Sequence, residues 1–98
     1  MIDHDALRSV VEQMMGGGVV SLGEDKYKVS RTGAQRLRTV RFKMGGKEYQ
    51  AIEQNPEKPS RWGKMAREGK RVVQFRDVRS GKYVAVVFDG KVMEYGGK

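Results

Sequence analysis

The sequence predicts an α+β fold, in which an N-terminal amphipathic helix and a short basic helix accompany an antiparallel β-sheet built from hairpins. Three observations support this fold class. Apolar residues recur at helical spacing near the N-terminus, whereas most of the remaining chain alternates apolar and polar residues between turn signals. A central segment with both prolines and the single Trp follows neither pattern. The length of 98 residues suits one modest core, so we expect residues 1–98 to form a single domain.

The first element, residues 1–15, is predicted to be a helix with one apolar face. The apolar positions at helical spacing are Leu7, Val10, Val11 and Met14. Asp3 or Asp5 is expected to cap its first turn. The run of three glycines at residues 16–18 is expected to end it, with Gly16 left-handed. A phosphate-binding loop is the alternative for this run, but no Lys-Ser or Lys-Thr follows it and no strand precedes it.

Two blocks of alternating residues, 18–54 and 70–95, are predicted to supply the antiparallel strands. The strongest hairpin signal is Gly45-Gly46, which suits a two-residue turn between strands. A turn is also expected at residues 23–25. The predicted strands cover residues 19–22, 26–29, 36–44, 47–53, 71–76, 82–88 and 91–95.

The segment between these blocks is predicted to contain a short basic helix at residues 59–68. Each proline disfavours the helical region for the residue before it, so the segment begins extended. Ser60 is then positioned to cap the helix, and Gly69 to end it. Trp62 lies on one side of the predicted helix. The basic residues of the other side are Arg61, Lys64 and Arg67.

Positive charge is concentrated in the middle of the chain. The protein has 20 Lys and Arg against 12 Asp and Glu, a net charge of +8. Residues 31–82 contain fifteen basic and five acidic residues, while the N-terminal segment is slightly acidic and the C-terminal segment neutral. This distribution predicts a surface that faces a polyanion, with a solvated charged surface as the alternative. Abundant Lys, Arg and Glu with a single Asn are compatible with a thermophilic source.

Several kinds of site and location are disfavoured by composition. The chain has no Cys and one His, so disulfides and Cys- or His-rich metal sites are excluded. No carboxylate pair or Ser lies in a catalytic pattern, and we expect a protein without enzymatic activity, cofactor or metal. No apolar run approaches the roughly 20 residues of a membrane span, and no signal peptide is evident, so we expect a cytoplasmic protein.

We interpret the central basic residues as candidate phosphate contacts and three aromatic residues as candidate stacking platforms for bases. The candidate phosphate contacts are Arg36, Arg38, Arg41, Lys43, Lys58, Arg61, Lys64, Arg67 and Arg71. The candidate stacking residues are Tyr49, Trp62 and Phe75. Trp62 has two open interpretations, an anchor of the helix on the sheet or a platform for a base. A place in the core is the favoured alternative for Phe42, Phe75 and Phe88, whereas the choice between core and stacking stays open for Tyr49 and Tyr83.

Three stretches of the chain resemble the ThermoDBP family of single-stranded nucleic-acid-binding proteins from hyperthermophilic archaea. They are residues 53–75 (EQNPEKPSRWGKMAREGKRVVQF), 81–85 (GKYVA) and 87–92 (VFDGKV). The resemblance implies a leading helix, a four-stranded antiparallel sheet and a second helix packed to leave a cleft with apolar lining and basic edges. It also implies binding of ssDNA or ssRNA with little sequence preference, through the helix of Trp62 and its basic neighbours. Larger family members use a long C-terminal extension for assembly, and because the sequence shows no such extension, we do not expect this part of the resemblance to apply.

Two alternative functions remain open from the sequence. The chain is also similar, more loosely, to small SH3-like chromatin proteins, through Gly46-Lys47-Glu48, the Trp-bearing connection and a Gly-Lys-Tyr turn at residues 81–83. That resemblance implies a sheet laid across the minor groove of duplex DNA. A protein-interaction module with an acidic partner is the other alternative. DNA and RNA are not distinguished by any motif, and a homodimer or higher homo-oligomer is compatible with the apolar helix.

Overall fold

The N-terminal helix, α1 (His4–Gly16), confirms the predicted amphipathic helix. A computed structural model describes residues 2–96 of the chain. Asp3 is the cap of α1, and its side chain accepts a hydrogen bond from the Ala6 amide at 3.2 Å. The predicted apolar face is buried, and its members are Leu7, Val10, Val11 and Met14.

The end of α1 differs from the prediction. Gly16 is the last helical residue, and Gly17 is extended, with φ −165° and ψ −171°. None of the glycines with positive φ lies between residues 16 and 18, so the expected left-handed terminator is wrong. The chain leaves the helix directly into a strand instead. The Gly17 amide still donates to the Gln13 carbonyl at 3.0 Å, and the Gly18 carbonyl accepts from the Val29 amide at 2.8 Å.

The strands form two antiparallel sheets. The smaller sheet is the hairpin of β1 (Val19–Leu22) and β2 (Asp25–Lys28), which turns at residues 23–24. The larger sheet is a meander of six strands that lie side by side in chain order. Its strands are β3 (Ser30–Thr32), β4 (Leu37–Met44), β5 (Lys47–Glu53), β6 (Val72–Asp77), β7 (Tyr83–Phe88) and β8 (Lys91–Glu94). The sheet is open, with β3 and β8 as its edges, unlike the closed barrel of an SH3-like fold.

Two details of the sheet correct the sequence prediction. Strand β3 was not predicted, because all of its residues are exposed and it shows no apolar alternation. With β3 present, the sheet has six strands instead of the four that the ThermoDBP resemblance implied. Arg36 was assigned to a strand, but it lies in the turn before β4 with a left-handed φ of 56°.

One face of the large sheet, the covered face, packs against α1 and the β1–β2 hairpin and forms the core. Successive side chains of a strand point to opposite faces, so every second residue of β4 to β7 faces this core, and most of these residues are apolar. Phe42 is central, because its ring meets Phe75 edge-on at 6.0 Å between centroids and Tyr49 at 5.9 Å. The sheet residues buried in this cluster are Val40, Phe42, Tyr49, Ala51, Val73, Phe75, Ala85 and Val87.

Within residues 2–96, the opposite face, the open face, is covered only at one end, by the second helix, α2 (Arg61–Arg67). Val72 and Val86 have the opposite parity to the core residues and are buried outside the main cluster. Trp62 of α2 packs over Phe88 of β7, with 5.2 Å between ring centroids. The helix therefore caps a small second apolar cluster on β6 and β7.

The loop before α2 is held against the helix by hydrogen bonds between side chains and backbone groups and by close packing at Gly63. Ser60 caps the helix as predicted, since its hydroxyl accepts from the Gly63 amide at 3.2 Å. Gly69 ends the segment with φ +88°. Arg67 donates from Nη1 to the carbonyls of Pro56 and Lys58, at 2.5 and 3.0 Å. Gly63 is buried where the loop crosses the helix, and an added Cβ would stand 2.0 Å from the Lys58 carbonyl oxygen.

We expect Gly63→Ala to destabilise the protein by about 1 to 3 kcal/mol, because the methyl group collides with backbone and the loop must move. Gly16→Ala is the matched control. Gly16 is helical and open space surrounds its Cβ position, so Ala there is expected to stabilise by about 0.5 to 1 kcal/mol. Urea unfolding followed by circular dichroism measures both changes. Equal stabilities of Gly63→Ala and the wild type would contradict the close packing of the loop on α2.

Candidate nucleic-acid interface

The part of the open face that α2 leaves uncovered is a polar surface on β4, β5, β6 and the start of β7. Strand register places its side chains together, because Thr39 pairs with Ile52, Gln50 with Arg76, and Arg76 with Tyr83. Its members on β4, β5 and β6 alternate with the core residues of the same strands and therefore point the other way. Tyr83 shares the parity of the core residues of β7, but a register shift between Phe75 and Arg76 places it opposite Arg76. We call this surface the polar half-face. It comprises Thr39, Arg41, Lys43, Glu48, Gln50, Gln74, Arg76 and Tyr83.

A chain of hydrogen bonds crosses the centre of the polar half-face. Arg76 donates from Nη2 to the Gln50 side-chain oxygen at 2.5 Å. The Gln50 amide nitrogen donates to the Thr39 hydroxyl at 2.9 Å, and that hydroxyl donates to the Ala51 carbonyl at 3.0 Å. These contacts fix the orientation of the Gln50 amide and of the Arg76 guanidinium before any ligand arrives. The Arg76 Nε is buried and has no hydrogen-bond partner within residues 2–96.

A second chain runs along the border between the polar half-face and α2. The Tyr95 hydroxyl donates to the Gln74 side-chain oxygen at 2.5 Å. The Gln74 amide nitrogen donates to the Gln54 side-chain oxygen at 3.1 Å, and Gln54 donates to the Asn55 carbonyl at 3.2 Å. Burial raises the pKa of the Tyr95 phenol from its ordinary value of 10.0, although its hydrogen bonding with Gln74 and Trp62 opposes the shift. Tyr95 is therefore held in its neutral, donating form.

Two aromatic rings flank these chains. Tyr83 is 51% exposed and lies beside Arg76 in the sheet. Trp62 is half-buried, with one contact to Phe88 below and the Arg61 guanidinium 4.7 Å from its ring centroid. Trp62 thus anchors α2 to the sheet, which is one of its two predicted roles. Tyr83 has the larger free ring surface, and a base can stack on it without displacing the core.

Basic side chains surround the polar half-face. Arg41 and Lys43 are exposed on β4, and Arg61 and Lys64 are exposed on α2. Glu48 is the acidic member of the surface, and its carboxylate lies 3.9 Å from Arg41 Nη1. Both partners are largely exposed, and such surface pairs contribute only about 0 to 1 kcal/mol. A phosphate group can therefore replace Glu48 as the partner of Arg41 at little cost.

Two of the predicted phosphate contacts are engaged in structural contacts elsewhere. Arg38 lies on the covered side of β4, where its Nη1 forms an ion pair with Glu53 at 3.3 Å and contacts the Met15 sulfur at 3.6 Å. Arg67 is bound to the carbonyls of the loop before α2. Alternation explains the position of Arg38, since it shares the parity of Val40 and Phe42.

The remaining predicted contacts lie outside the polar half-face. Arg36 is exposed in the turn before β4, and its carbonyl accepts from Arg31 Nη1 at 3.1 Å. Lys58 is exposed in the loop before α2. Arg71 lines a groove beside α1 together with Arg8 and Asp89. These residues do not join Arg41 and Lys43 in one surface.

Tyr49 and Phe75 are corrected as stacking candidates. Phe75 is 0% exposed and Tyr49 is 8% exposed, and both pack on Phe42 inside the core. Their rings are unavailable to a base in this fold. Tyr49 and Ala51 point to the same face of β5, which is the core face. The sequence of β5 does not identify that face, because both of its faces carry polar and apolar residues.

Sequence reasoning missed Gln50, Gln74 and Arg76 as members of the site. The signal for them is present but indirect, because Gln74 and Arg76 alternate with Val73 and Phe75 and must face away from the core. Their adjacency to Gln50 depends on the pairing of β5 with β6 across the whole α2 segment, which the sequence does not specify.

Comparisons with protein-family models, with curated proteins and with solved structures find no match to this chain. Residues 2–96 contain no group of three His, Cys, Asp or Glu side chains that could hold a metal ion. No helix in the same part of the chain is long and apolar enough to cross a membrane.

Tyr95 predicts a specific pH dependence. A raised folded-state pKa means that the neutral phenol is favoured by folding, so this stabilisation is complete below the unfolded pKa near 10.0 and is lost as pH rises through the folded pKa. The wild type should therefore lose stability above pH 10 more steeply than Tyr95→Phe, which has no phenol to ionise at this position. Urea unfolding between roughly pH 8 and 11 measures the two slopes. Parallel slopes would show that Tyr95 is not held as described.

Proposed function

We propose that the protein binds single-stranded nucleic acid, without catalysis, on the polar half-face and the adjacent basic side of α2. The observation that carries the proposal is the combination of an exposed Tyr83 ring, a pre-oriented Arg76 and glutamine amides with unused hydrogen-bonding groups on one uncovered sheet surface. Stacking rings and cationic side chains in one surface are the usual components of single-strand binding. The sequence resemblance to ThermoDBP proteins points to the same ligand class.

The positions of the charged residues support contacts to a phosphate backbone. Arg41 and Lys43 lie on one side of the polar half-face, Arg76 lies in its centre, and Arg61 and Lys64 are exposed on α2, which packs on β6. A backbone that crosses from β4 to β7 spans three strand spacings, about 14 Å. At about 3.4 Å per nucleotide of a stacked strand, this distance accommodates roughly four nucleotides.

The shape of the surface favours a single strand over a duplex. Tyr83 offers a ring face, and only an unpaired base can turn its own face onto that ring. Helix α2 bounds the surface on one side, since it packs on β6 and, through Trp62, on β7. A duplex presents stacked base edges and would have to approach past this helix.

The affinity for oligo(dT) should depend strongly on salt. If the five basic residues near the polar half-face each neutralise one phosphate, the slope of log K against log salt should be about −3 to −4. Fluorescence anisotropy of a labelled oligo(dT) at several salt concentrations measures the slope. A duplex of the same length is the comparison. An affinity for single strands that does not change with salt, or a preference for the duplex, would contradict the proposal.

Tyr83→Ala should weaken binding of oligo(dT) about tenfold or more, because one base loses its stacking partner. Val19→Ala is the matched control. Val19 is the other large apolar side chain that is half-exposed in the described residues, and it lies on β1, in the hairpin that packs on the covered face. Anisotropy titrations measure both affinities at one salt concentration. Equal losses in the two variants would place the ligand away from Tyr83.

Arg41→Gln and Lys43→Gln should each reduce the magnitude of the salt slope by about 0.7, which is the contribution of one phosphate on a single strand. Lys26→Gln and Lys28→Gln provide charge-matched controls. Both lysines are exposed on β2, in the layer that covers the other face of the sheet. If the control variants change the slope as much as the β4 variants do, binding follows net charge and has no defined surface.

A further inference from the structure

The polar half-face and its border with α2 carry three glutamine amides whose hydrogen-bonding capacity is only half used. Gln50 accepts one hydrogen bond from Arg76 and donates one to Thr39. Gln74 accepts one from Tyr95 and donates one to Gln54, and Gln54 in turn donates one to Asn55. A side-chain amide has two N–H donors and two oxygen lone pairs. Within residues 2–96, each of these amides therefore retains one N–H and one lone pair.

The amides that carry these free groups are held in place on or beside an uncovered surface. All three glutamines are half-buried, so their amide orientations are set by the contacts to protein and not by water alone. Gln50 lies opposite Arg76, and Gln74 lies two residues before it on β6, so both amides are close to the strand position of Tyr83. A base that stacks on Tyr83 can therefore extend its edge along the sheet toward Gln74 and Gln50.

An amide with one free donor and one free acceptor is complementary to the Watson–Crick edge of any base. Each of the four bases presents at least one donor next to one acceptor on that edge, and proteins that bind unpaired bases use it for hydrogen bonds. In a duplex this edge is occupied by the partner base. We propose, on the basis of the function proposed above, that the amides of Gln50 and Gln74 recognise the unoccupied Watson–Crick edge, and so distinguish unpaired from paired bases without reading their identity.

A hydrophobic or purely electrostatic surface would not detect whether the Watson–Crick edge of a base is free. Stacking on Tyr83 and phosphate contacts to Arg41 and Lys43 persist when the base edge is chemically blocked. Hydrogen bonds to the edge do not persist. The amides therefore predict an affinity that is indifferent to which base is present but sensitive to whether its Watson–Crick edge is free.

The test uses the full chain and three labelled oligonucleotides of roughly 12 nucleotides, within the range of single-strand site sizes. The first is oligo(dT), the second carries N3-methylthymine, which blocks the central donor of the edge, and the third carries uracil, which lacks only the 5-methyl group outside the edge. We expect the N3-methylated strand to bind about tenfold more weakly, a loss within the range of one bidentate base contact. The uracil strand should bind as tightly as oligo(dT).

Variants assign the effect to the amides. In Gln50→Leu/Gln74→Leu, the N3-methylated and unmodified strands should bind with nearly equal affinity. Gln13→Leu is the matched control, because Gln13 is also half-buried and hydrogen-bonded, to Ser9 and Ser21, but lies in α1 on the covered side. This control should keep the tenfold difference. If the double variant does not fold, as judged by circular dichroism, the three oligonucleotides on the wild type still decide the proposal.

The outcomes separate the two proposals. Equal binding of all three strands by the wild type would overturn edge recognition and leave single-strand binding standing. A methylation effect that persists in the folded double variant would also overturn it, because other groups would then contact the edge. Failure of all three strands to bind at low salt would overturn the proposed function together with this inference.

Discussion

The structure depends on one constraint, which is that a single layer, α1 with the β1–β2 hairpin, buries one face of a six-stranded meander. Side chains alternate along every strand, so burying Val40, Phe42, Val73 and Phe75 on that face forces their neighbours onto the other. At the β4 side of the sheet, those neighbours are polar. The polar half-face is thus the direct complement of the core, and a shift of one residue in register would exchange the two.

Helix α2 decides how much of the open face stays uncovered. Its position depends on three local contacts: the Ser60 cap, the close approach of Gly63 to the Lys58 carbonyl, and the two hydrogen bonds from Arg67 to the loop. Trp62 then packs on Phe88 of β7, and Val72 and Val86 of the same sheet face are buried. With α2 restricted to this end, the surface from Arg41 to Tyr83 has no covering element among residues 2–96.

Most of the fold could be predicted from the sequence, because its signals are local. The helical spacing of α1, the Gly45-Gly46 turn and the Ser60 cap each act over a few residues, and the elements that they define are found as predicted. Strand β3 could not be predicted, because its exposed residues pair with β4 only through the sheet edge. The prediction of a left-handed Gly16 was also wrong because of a contact with a later segment. The Gly18 carbonyl accepts a hydrogen bond from the Val29 amide, and the chain is extended from Gly17 onward.

The candidate site was only partly predictable, because it depends on contacts between distant strands. Charge and aromatic content selected Arg41, Lys43 and the basic side of α2. The same criteria also selected Phe75, which is buried in the core, and Arg38, which forms an ion pair with Glu53. Gln50 and Arg76 are 26 residues apart and meet only because β5 and β6 are neighbours. Glutamine carries no charge and no ring, so nothing in the sequence marked these positions before the register was known.

The most direct test of the account is a ¹H–¹⁵N correlation spectrum of the protein titrated with oligo(dT). This experiment observes backbone amides and the side-chain amides of glutamine separately. The account predicts that the largest shifts occur in β4 to β7 and in the side-chain amides of Gln50 and Gln74, while α1 and the β1–β2 hairpin change little. Shifts confined to the hairpin, or spread evenly over all lysine- and arginine-rich segments, would contradict it.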